Sequence, residues 1–349
     1  MIVTNEKVKF AVVGAGHIGK RHAEMISRDP EGELIAMVDV RGREVCEFDK
    51  DVPFFTSIED LLASGLEFDV VNVCTPNGLH AEQSIKALDA HKHVVCEKPM
   101  GLSKDECEKV IFKSLQMSRN VFCVMQNRYS PPSEWIKKVV SEKILGDIYM
   151  VQLNCYWNRD ARYYKKGGWK GTQDLDGGTL FTQFSHFIDI MYWLFGDIDN
   201  IQGNFADFSH QESTDFEDSG FVNFDFLNGG MGSINYSTAV VDKNLESSMT
   251  IIGSKGSVKI GGQYMNEVEV CNIPGYEMPI LAESSPANDY GPYKGSAANH
   301  HFLIGNVIDT IKGRTSMTTN ALEGLKVVEI IERIYKVRNE QLNLPKVNR

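Results

Sequence analysis

The residues with the plainest chemical meaning are Glu97-Lys98-Pro99. They end an apolar stretch, His93 to Cys96, that closes a series of alternating strand-like and helix-like segments. Open parallel sheets bind ligands beyond the carboxyl ends of their strands, and Pro99 keeps this strand from simply continuing, so the Lys98 amine is expected to face that crevice. Beside an oxidised, positively charged nicotinamide and partly desolvated, the proton on a lysine is destabilised, which suits proton exchange with an alcohol that is losing hydride. The plainer alternative is a surface lysine at a strand end.

The elements that must position Lys98 begin at Val8. Val8 to Val13 is an unbroken apolar run of strand length, followed by Gly14-Ala15-Gly16-His17-Ile18-Gly19 and a helical pattern through Arg28. In such a strand–turn–helix, Gly14 allows the tight turn, Gly16 lets a pyrophosphate approach the backbone, and Gly19 lets the helix pack closely on the sheet, with phosphate charge facing the helix N-terminus. A second strand, Leu34 to Val38, ends in Asp39, twenty residues beyond Gly19, where an acid meets the ribose hydroxyls. A carboxylate there accepts hydrogen bonds from an unmodified ribose and repels a 2′-phosphate, so NAD is favoured over NADP. Arg41 either stacks on adenine, meets such a phosphate, or is a solvated turn residue.

The alternation continues with a helix near Ile58 to Ser64, a strand at Val70 to Cys74, a helix at Leu79 to Ala90, the strand at His93 to Cys96, a helix at Lys104 to Ser118 and a strand at Val121 to Met125. That order predicts a parallel, doubly wound Rossmann sheet with right-handed crossovers over residues 1–125. Beyond Pro131-Pro132 and one helix (Glu134 to Lys143) the pattern becomes strand-rich: Gly146 to Tyr156, Ile201 to Phe208, Gly220 to Phe226, Met231 to Tyr236, Met249 to Ile252, Ser257 to Ile260 and Val268 to Ile273. Asn228-Gly229-Gly230 and Gly253-Ser254-Lys255-Gly256 are hairpin signals. Residues 126–349 are therefore expected to form a second domain, a mainly antiparallel open sheet of about six strands. Helices at Thr179 to Phe195, Ala298 to Lys312 and Ala321 to Asn339 are expected to cover one face. A broad sheet face without helices commonly meets another subunit, so a homodimer or homotetramer through this sheet is expected.

Composition bounds the partners. The 349 residues suggest about two domains, 42% of them are hydrophobic, and the formal net charge is -11. No basic face dominates, which argues against nucleic acid or an anionic membrane as a general partner. Seven cysteines without a C-x-x-C pair point to reduced thiols and a cytoplasmic location. Neither a signal-peptide core nor an apolar run of membrane-spanning length is seen.

Gly14-Ala15-Gly16-His17-Ile18-Gly19, Cys74-Thr75-Pro76-Asn77 with His80, Glu97-Lys98-Pro99, and Gly177-Gly178 followed by His186 and Asp189 together resemble the glucose-fructose oxidoreductase and inositol dehydrogenase (MocA) family over nearly the whole chain. Gln126-Asn127-Arg128-Tyr129, Tyr156-Trp157-Asn158-Arg159, Trp169-Lys170-Gly171-Thr172 and Tyr192-Trp193-Leu194-Phe195-Gly196 are most similar to its bacterial UDP-N-acetylglucosaminuronate 3-dehydrogenases, which act in making surface polysaccharide sugars. The resemblance implies an oxidoreductase with NAD as cofactor and a small-molecule substrate, a UDP-sugar. It implies that His17, Ile18, Thr75, Pro76, Asn77, His80, Glu97, Gln126 and Arg128 lie at the cofactor, and that Lys98 lies at the reacting hydroxyl. Asn77 as a simple helix cap and Arg128 in a bare interdomain ion pair are the structural alternatives.

His186 is the second catalytic candidate, with Thr182 and Asp189 at i−4 and i+3 along one helical face. An imidazole, with an unperturbed pKa of about 6.5, suits a general base; a core histidine holding the helix is the alternative. The family usually has an aspartate where this chain has Thr182, so the alcohol proton must pass to His186 or Lys98. Asp189 is then an orienting or structural partner, and Asp176 a less favoured carboxylate. The loop from Asn158 to Lys170 gathers Arg159, Arg162, Lys165, Lys166 and Lys170 around one acid, Asp160, with Tyr163, Tyr164 and Trp169 interleaved. That mix suits gripping phosphates and stacking on a base or sugar, unless the loop is merely solvated. His91-Lys92-His93 lacks further ligands and no metal is assigned; His300-His301 stands at a helix start, where the resemblance implies an imidazole near the substrate cleft and a plain helix-end histidine is the favoured alternative. An inositol or free-sugar dehydrogenase of the same family, and a non-enzymatic NAD-binding regulator, are the competing functions.

Overall fold

The computed structural model describes residues 6–291 and 293–342. Its chain divides into two compact units: residues up to Gln126 together with Asn299–Val328, and Asn127–Ala298 together with the residues that follow Val328.

The first unit opens with β1 (Val8–Val13), α1 (His17–Arg28), β2 (Gly32–Val38), β3 (Phe54–Phe55), α2 (Ile58–Ala63), β4 (Val70–Val73), α3 (His80–Asp89), β5 (His93–Cys96), α4 (Lys104–Met117) and β6 (Val121–Cys123). All pairings are parallel, in the order β3-β2-β1-β4-β5-β6. The Val-rich strands are buried on both faces, as continuous apolar runs in a parallel sheet must be. Strand order reverses between β1 and β4, which sets the crevice at their carboxyl ends. Ser57 and Ser103 cap α2 and α4 by accepting the N–H groups of Asp60 and Glu106.

The second unit contains α5 (Pro131–Ser141), β7 (Ile148–Tyr156), α6 (Ser185–Phe195), β8 (Ile198–Ala206), β9 (Ser219–Phe226), β10 (Met231–Ser237), β11 (Glu246–Gly253), β12 (Gly256–Gly261), β13 (Glu267–Asn272) and the ribbon β14 (Ala287–Asp289) with β15 (Lys294–Ala297). Its large sheet has seven strands in the order β13-β12-β11-β7-β10-β9-β8; every pair is antiparallel except β7 with β10. On β7, Val151, Leu153 and Cys155 are buried, while Met150, Gln152, Asn154 and Tyr156 on the other face are not. Phe184 and Phe187 pack their rings on Trp157, and Phe195 packs on Phe226.

Several sequence boundaries move for identifiable reasons. Pro131-Pro132 starts α5 instead of preceding it, since proline at the first helical turn has no N–H to lose. The strand expected from Ile201 begins at Ile198, and Asn200, at φ 53, sits in the bulge that shifts its register. The expected helix from Thr179 begins as a π-turn, Leu180–Phe184, before α6. The second domain is not contiguous from residue 126. After β15 the chain returns to the first unit, where α7 (His300–Ile311) packs on α1 and Thr319 exchanges hydrogen bonds with Cys123. The last helix, α8 (Ala321–Leu342), begins in the first unit and ends in the second.

Gly14 takes a left-handed φ of 100°, and a Cβ on Gly19 would overlap the Gly14 carbonyl oxygen. Replacing Gly19 with alanine is therefore expected to lower stability by about 2 kcal/mol or more, measured by urea unfolding.

Candidate active site

The glycine turn leaves the N-terminus of α1 open. Gly16 ends in an extended conformation as the N-cap of α1, with no side-chain cap, and a Cβ placed on it would meet nothing within 4 Å. His17 is exposed and Ile18 half-buried in the first turn of the helix. At the end of β2, Asp39 Oδ2 accepts the Ala15 N–H at 2.9 Å, tying the acid to the turn. Arg41 closes a fork on the same carboxylate, Nε to Oδ1 at 2.9 Å and Nη2 to Oδ2 at 2.8 Å. Burial opposes ionisation of Asp39, but these donors hold its carboxyl well below the usual range. In this arrangement Arg41 is folded onto the acid, with about half of its side chain, 51%, still exposed.

Beyond β4 the turn carries Thr75, Pro76 and Asn77. Thr75 Oγ1 donates to Gln83 Oε1 at 2.7 Å. Asn77 is buried and opens a short 3-10 turn; Leu79 is the N-cap of α3, so Asn77 is not its cap. His80 bridges two turns, with Nδ1 2.6 Å from the Pro99 carbonyl and Nε2 2.8 Å from that of Thr75. Burial keeps this imidazole below its ordinary pKa.

Glu97 and Lys98 follow β5, and the Lys98–Pro99 peptide is cis. Glu97 is buried; its Oε2 accepts the Lys98 N–H at 3.2 Å and its Oε1 faces His22 Nε2 at 3.0 Å and His300 Nε2 at 3.5 Å. Asn72, in the middle of β4, donates Nδ2 to His22 Nδ1 at 2.8 Å. Burial works against the charge on Glu97, yet His22, hydrogen-bonded to it, and His300, 3.5 Å away, keep the carboxyl far below the usual range. Neither His22 nor Asn72 was anticipated from sequence. The available signal was a polar residue on the buried stripe of α1 made by Gly19, His22, Ala23 and Ile26. Gln126 is buried at the end of the first segment, and its carbonyl accepts Asn299 Nδ2 at 3.2 Å.

In the second unit, Arg128 grips Asp189 in a buried fork, Nε to Oδ2 at 2.9 Å and Nη2 to Oδ1 at 2.6 Å, and stacks on Trp193. The pair lies wholly within this unit, and Asp189 is its structural half. His186 is buried in the first turn of α6. One turn earlier Thr182 Oγ1 donates to the buried Asp176, whose other oxygen accepts the Gly171 N–H at 2.7 Å. A carboxylate thus stands one hydrogen bond from the position where this chain has a threonine, which raises Asp176 above its standing in the sequence.

The basic loop is only partly what its composition suggested. Arg159 is 2% exposed and commits four donors internally, to Gln183 Oε1, the Asn158 carbonyl, Asn244 Oδ1 and the Lys294 carbonyl. Its guanidinium also lies 4.6–5.2 Å from the rings of Trp157, Tyr163 and Tyr293. It braces the loop from inside instead of gripping a ligand, a correction that follows from its burial. Arg162 forks onto Asp160 at the surface. Lys165 and Lys166 are exposed, Trp169 is half-buried, and Lys170 lies 3.8 Å over Tyr163 while donating to Tyr293 Oη at 3.0 Å. Tyr163 and Tyr164 are buried, and Gln183 Nε2 donates to Tyr163 Oη at 2.8 Å. Replacing Arg159 with methionine should cost about 2 kcal/mol or more, since hydrogen bonds to a buried charge are lost; calorimetric unfolding checks this.

Among the described residues, no helix is long and apolar enough to cross a membrane. The chain is similar to known proteins in family pattern, in structure and in sequence. Residues 8–124 match the model of an oxidoreductase family with an NAD-binding Rossmann fold, and residues 134–259 match the GFO/IDH/MocA C-terminal domain. The chain is similar to the WlbA dehydrogenase from Bordetella pertussis, solved with NADH and UDP-GlcNAcA, at 29% identity, TM-score 0.85, and coverage of 96% of this chain and 98% of that one. It is similar to WlbA from Chromobacterium violaceum, solved with the same ligands, at 30% identity, TM-score 0.84, and coverage of 97% and 95%. A further relative is D-glucoside 3-dehydrogenase of Escherichia coli, 21% identical over 96% of each chain. With both domains matched and full-length likeness at this level, the chain belongs to the GFO/IDH/MocA family of NAD-dependent oxidoreductases.

Proposed function

We propose that this protein oxidises a secondary hydroxyl, at C3, of a nucleotide-linked sugar, UDP-N-acetylglucosaminuronate, to a keto sugar in the making of surface polysaccharide. The observation that carries this reading is the full-length likeness to two WlbA dehydrogenases solved with UDP-GlcNAcA. The aromatic and cationic loop around Lys170 supports it, because Arg162, Lys165, Lys166 and Lys170 offer charge, and the half-buried Trp169 offers a ring, to an anionic ligand, over the buried Tyr163. The open Gly16 turn and the Asp39 carboxylate fit a dinucleotide with free ribose hydroxyls. Asp39 with Arg41 folded onto it favours NAD over NADP.

NAD, when bound, accepts the hydride that leaves the sugar carbon. The carbinol oxygen must lose its proton as the C–H electron pair departs, so that the carbon ends as a carbonyl. Lys98 and His186 are the two residues assigned to that proton: Lys98 holds the hydroxyl by hydrogen bonding, and either takes the proton directly or leaves it to His186. One turn before His186, Thr182 donates its hydroxyl to Asp176, which supplies a nearby carboxylate. The uncovered face of the seven-stranded sheet, with Met150, Met231, Phe221 and Ile252 exposed, suits association with a second copy, giving a homodimer or homotetramer. Seven free cysteines fit a reducing, cytoplasmic setting.

NAD is expected to bind more tightly than NADP, and Asp39→Ala to narrow the gap; fluorescence titration of both cofactors reads this, and an unaltered protein that prefers NADP would overturn the role of Asp39. Lys98→Met is expected to keep cofactor binding and to lose turnover by orders of magnitude. Calorimetry with NAD present should show UDP-N-acetylglucosaminuronate binding by several powers of ten better than the free sugar or myo-inositol, because two or three charge-assisted contacts contribute roughly 1.5–3 kcal/mol each. A preference for the neutral polyol would instead support an inositol or free-sugar dehydrogenase.

A further inference from the structure

The Glu97 carboxylate is buried where α1, β4, β5 and α7 come together, and two imidazoles address the same oxygen. His22 has a defined tautomer. Asn72 Nδ2 donates to its Nδ1, so the ring proton sits on Nε2 and points at Glu97. That assignment also disfavours a metal among His22, Glu97 and His300, because the His22 nitrogen facing the cluster carries a proton instead of a lone pair. His300 differs. It is 1% exposed, neither ring nitrogen has a hydrogen-bond partner, and its nearest acidic atom is Glu97 Oε1, 3.5 Å from Nε2. A buried imidazole with no partner is costly. Donation of Nε2–H to Glu97 is the contact open to it, and a few tenths of an ångström of closure completes it.

We propose that His22 and His300 are positioning residues that hold Glu97 ionised, and through it fix the Lys98 backbone. His300, the residue from the returning segment, is the adjustable member. This inference rests on the role proposed for Lys98. Glu97 Oε2 accepts the Lys98 N–H, so the peptide bearing the amine is held by a carboxylate whose other oxygen depends on the two imidazoles. The charged and titratable groups facing His300 are Glu97 after β5 and Arg21 and His22 on α1. Those facing Glu97 also include His80, Cys74 and Cys96, and burial keeps the two thiols protonated. With one imidazole donor removed, burial gains on the carboxylate. Glu97 then takes up a proton as pH falls, and Lys98 loses its main-chain acceptor.

The test uses two short polar replacements. In His300→Gln the amide nitrogen stands where Nε2 stood and still reaches Glu97; in His300→Asn it stands where Nδ1 stood and does not. Burial, no longer offset by both imidazoles, then brings Glu97 into the assayed range, and His300→Asn is expected to move the acid limb of the kcat–pH profile upward by about one pH unit or more, with KM for the sugar changed less than about twofold. His300→Gln should restore the unaltered profile. If no sugar tried is turned over, NAD binding is followed by calorimetry in buffers of different ionisation enthalpy, which reads the cluster without the reaction. Added proton release on binding near pH 6, as the positive nicotinamide favours the ionised Glu97, is then expected for His300→Asn relative to the unaltered protein and His300→Gln. Unshifted profiles and no added proton release in the Asn variant, or Asn and Gln variants that behave alike, would overturn the proposal while leaving Lys98 untouched.

Discussion

A carboxylate taken out of water must be met by donors or give up its charge. Glu97 obeys that constraint through His22, His300 and the Lys98 N–H, and much of the first unit follows from it. The helix that begins at the glycine turn must present His22 inward, β4 must carry Asn72 at a position otherwise occupied by valine, and a segment from far downstream must return to bring His300 to the same oxygen. The cofactor turn, the lysine and the returning helix are thus joined by one buried charge.

The second unit solves the same problem with the opposite sign. Arg159 is buried among three rings and held by side-chain and carbonyl oxygens, and burial lowers its affinity for its own proton without removing it. Arg128 is buried against Asp189, and Arg338 against Glu217, which also accepts from Tyr236. Arg338 comes from α8, Glu217 precedes β9, and Tyr335 Oη accepts the Leu180 N–H at the start of the π-turn that leads to His186. These pairs tie the helical layer to the sheet and set where the turn begins. Such pairs add little net stability over well-packed apolar residues, but removing one partner is costly. They therefore define one arrangement of the loop and turn more than they deepen the fold.

How much of this was legible in the residues depends on range. Strand, glycine turn, helix and acid are local patterns, and Val8 to Asp39 read correctly because each step depends on neighbours within a few residues. The alternation to Val121 read correctly for the same reason, except for the two-residue edge strand β3, too short to show a period. The parallel β7–β10 pair did not read, because pairing is decided between segments about eighty residues apart.

Side-chain duty was the part left open. Composition showed a cationic, aromatic loop between Asn158 and Lys170, but whether a cation faces ligand or protein is a matter of burial, and only the folded chain turned Arg159 inward and left Lys165 and Lys166 outside. Sequence alone determined the doubly wound nucleotide fold, the glycine turn, Asp39 and the lysine after β5, each encoded by contiguous residues. Tertiary structure decided that residues 299–328 belong with the first unit, that Thr182 leans on Asp176, and that His22 and His300 share Glu97. Those contacts join positions that no local rule relates, and the cost of burying charge is what selects them.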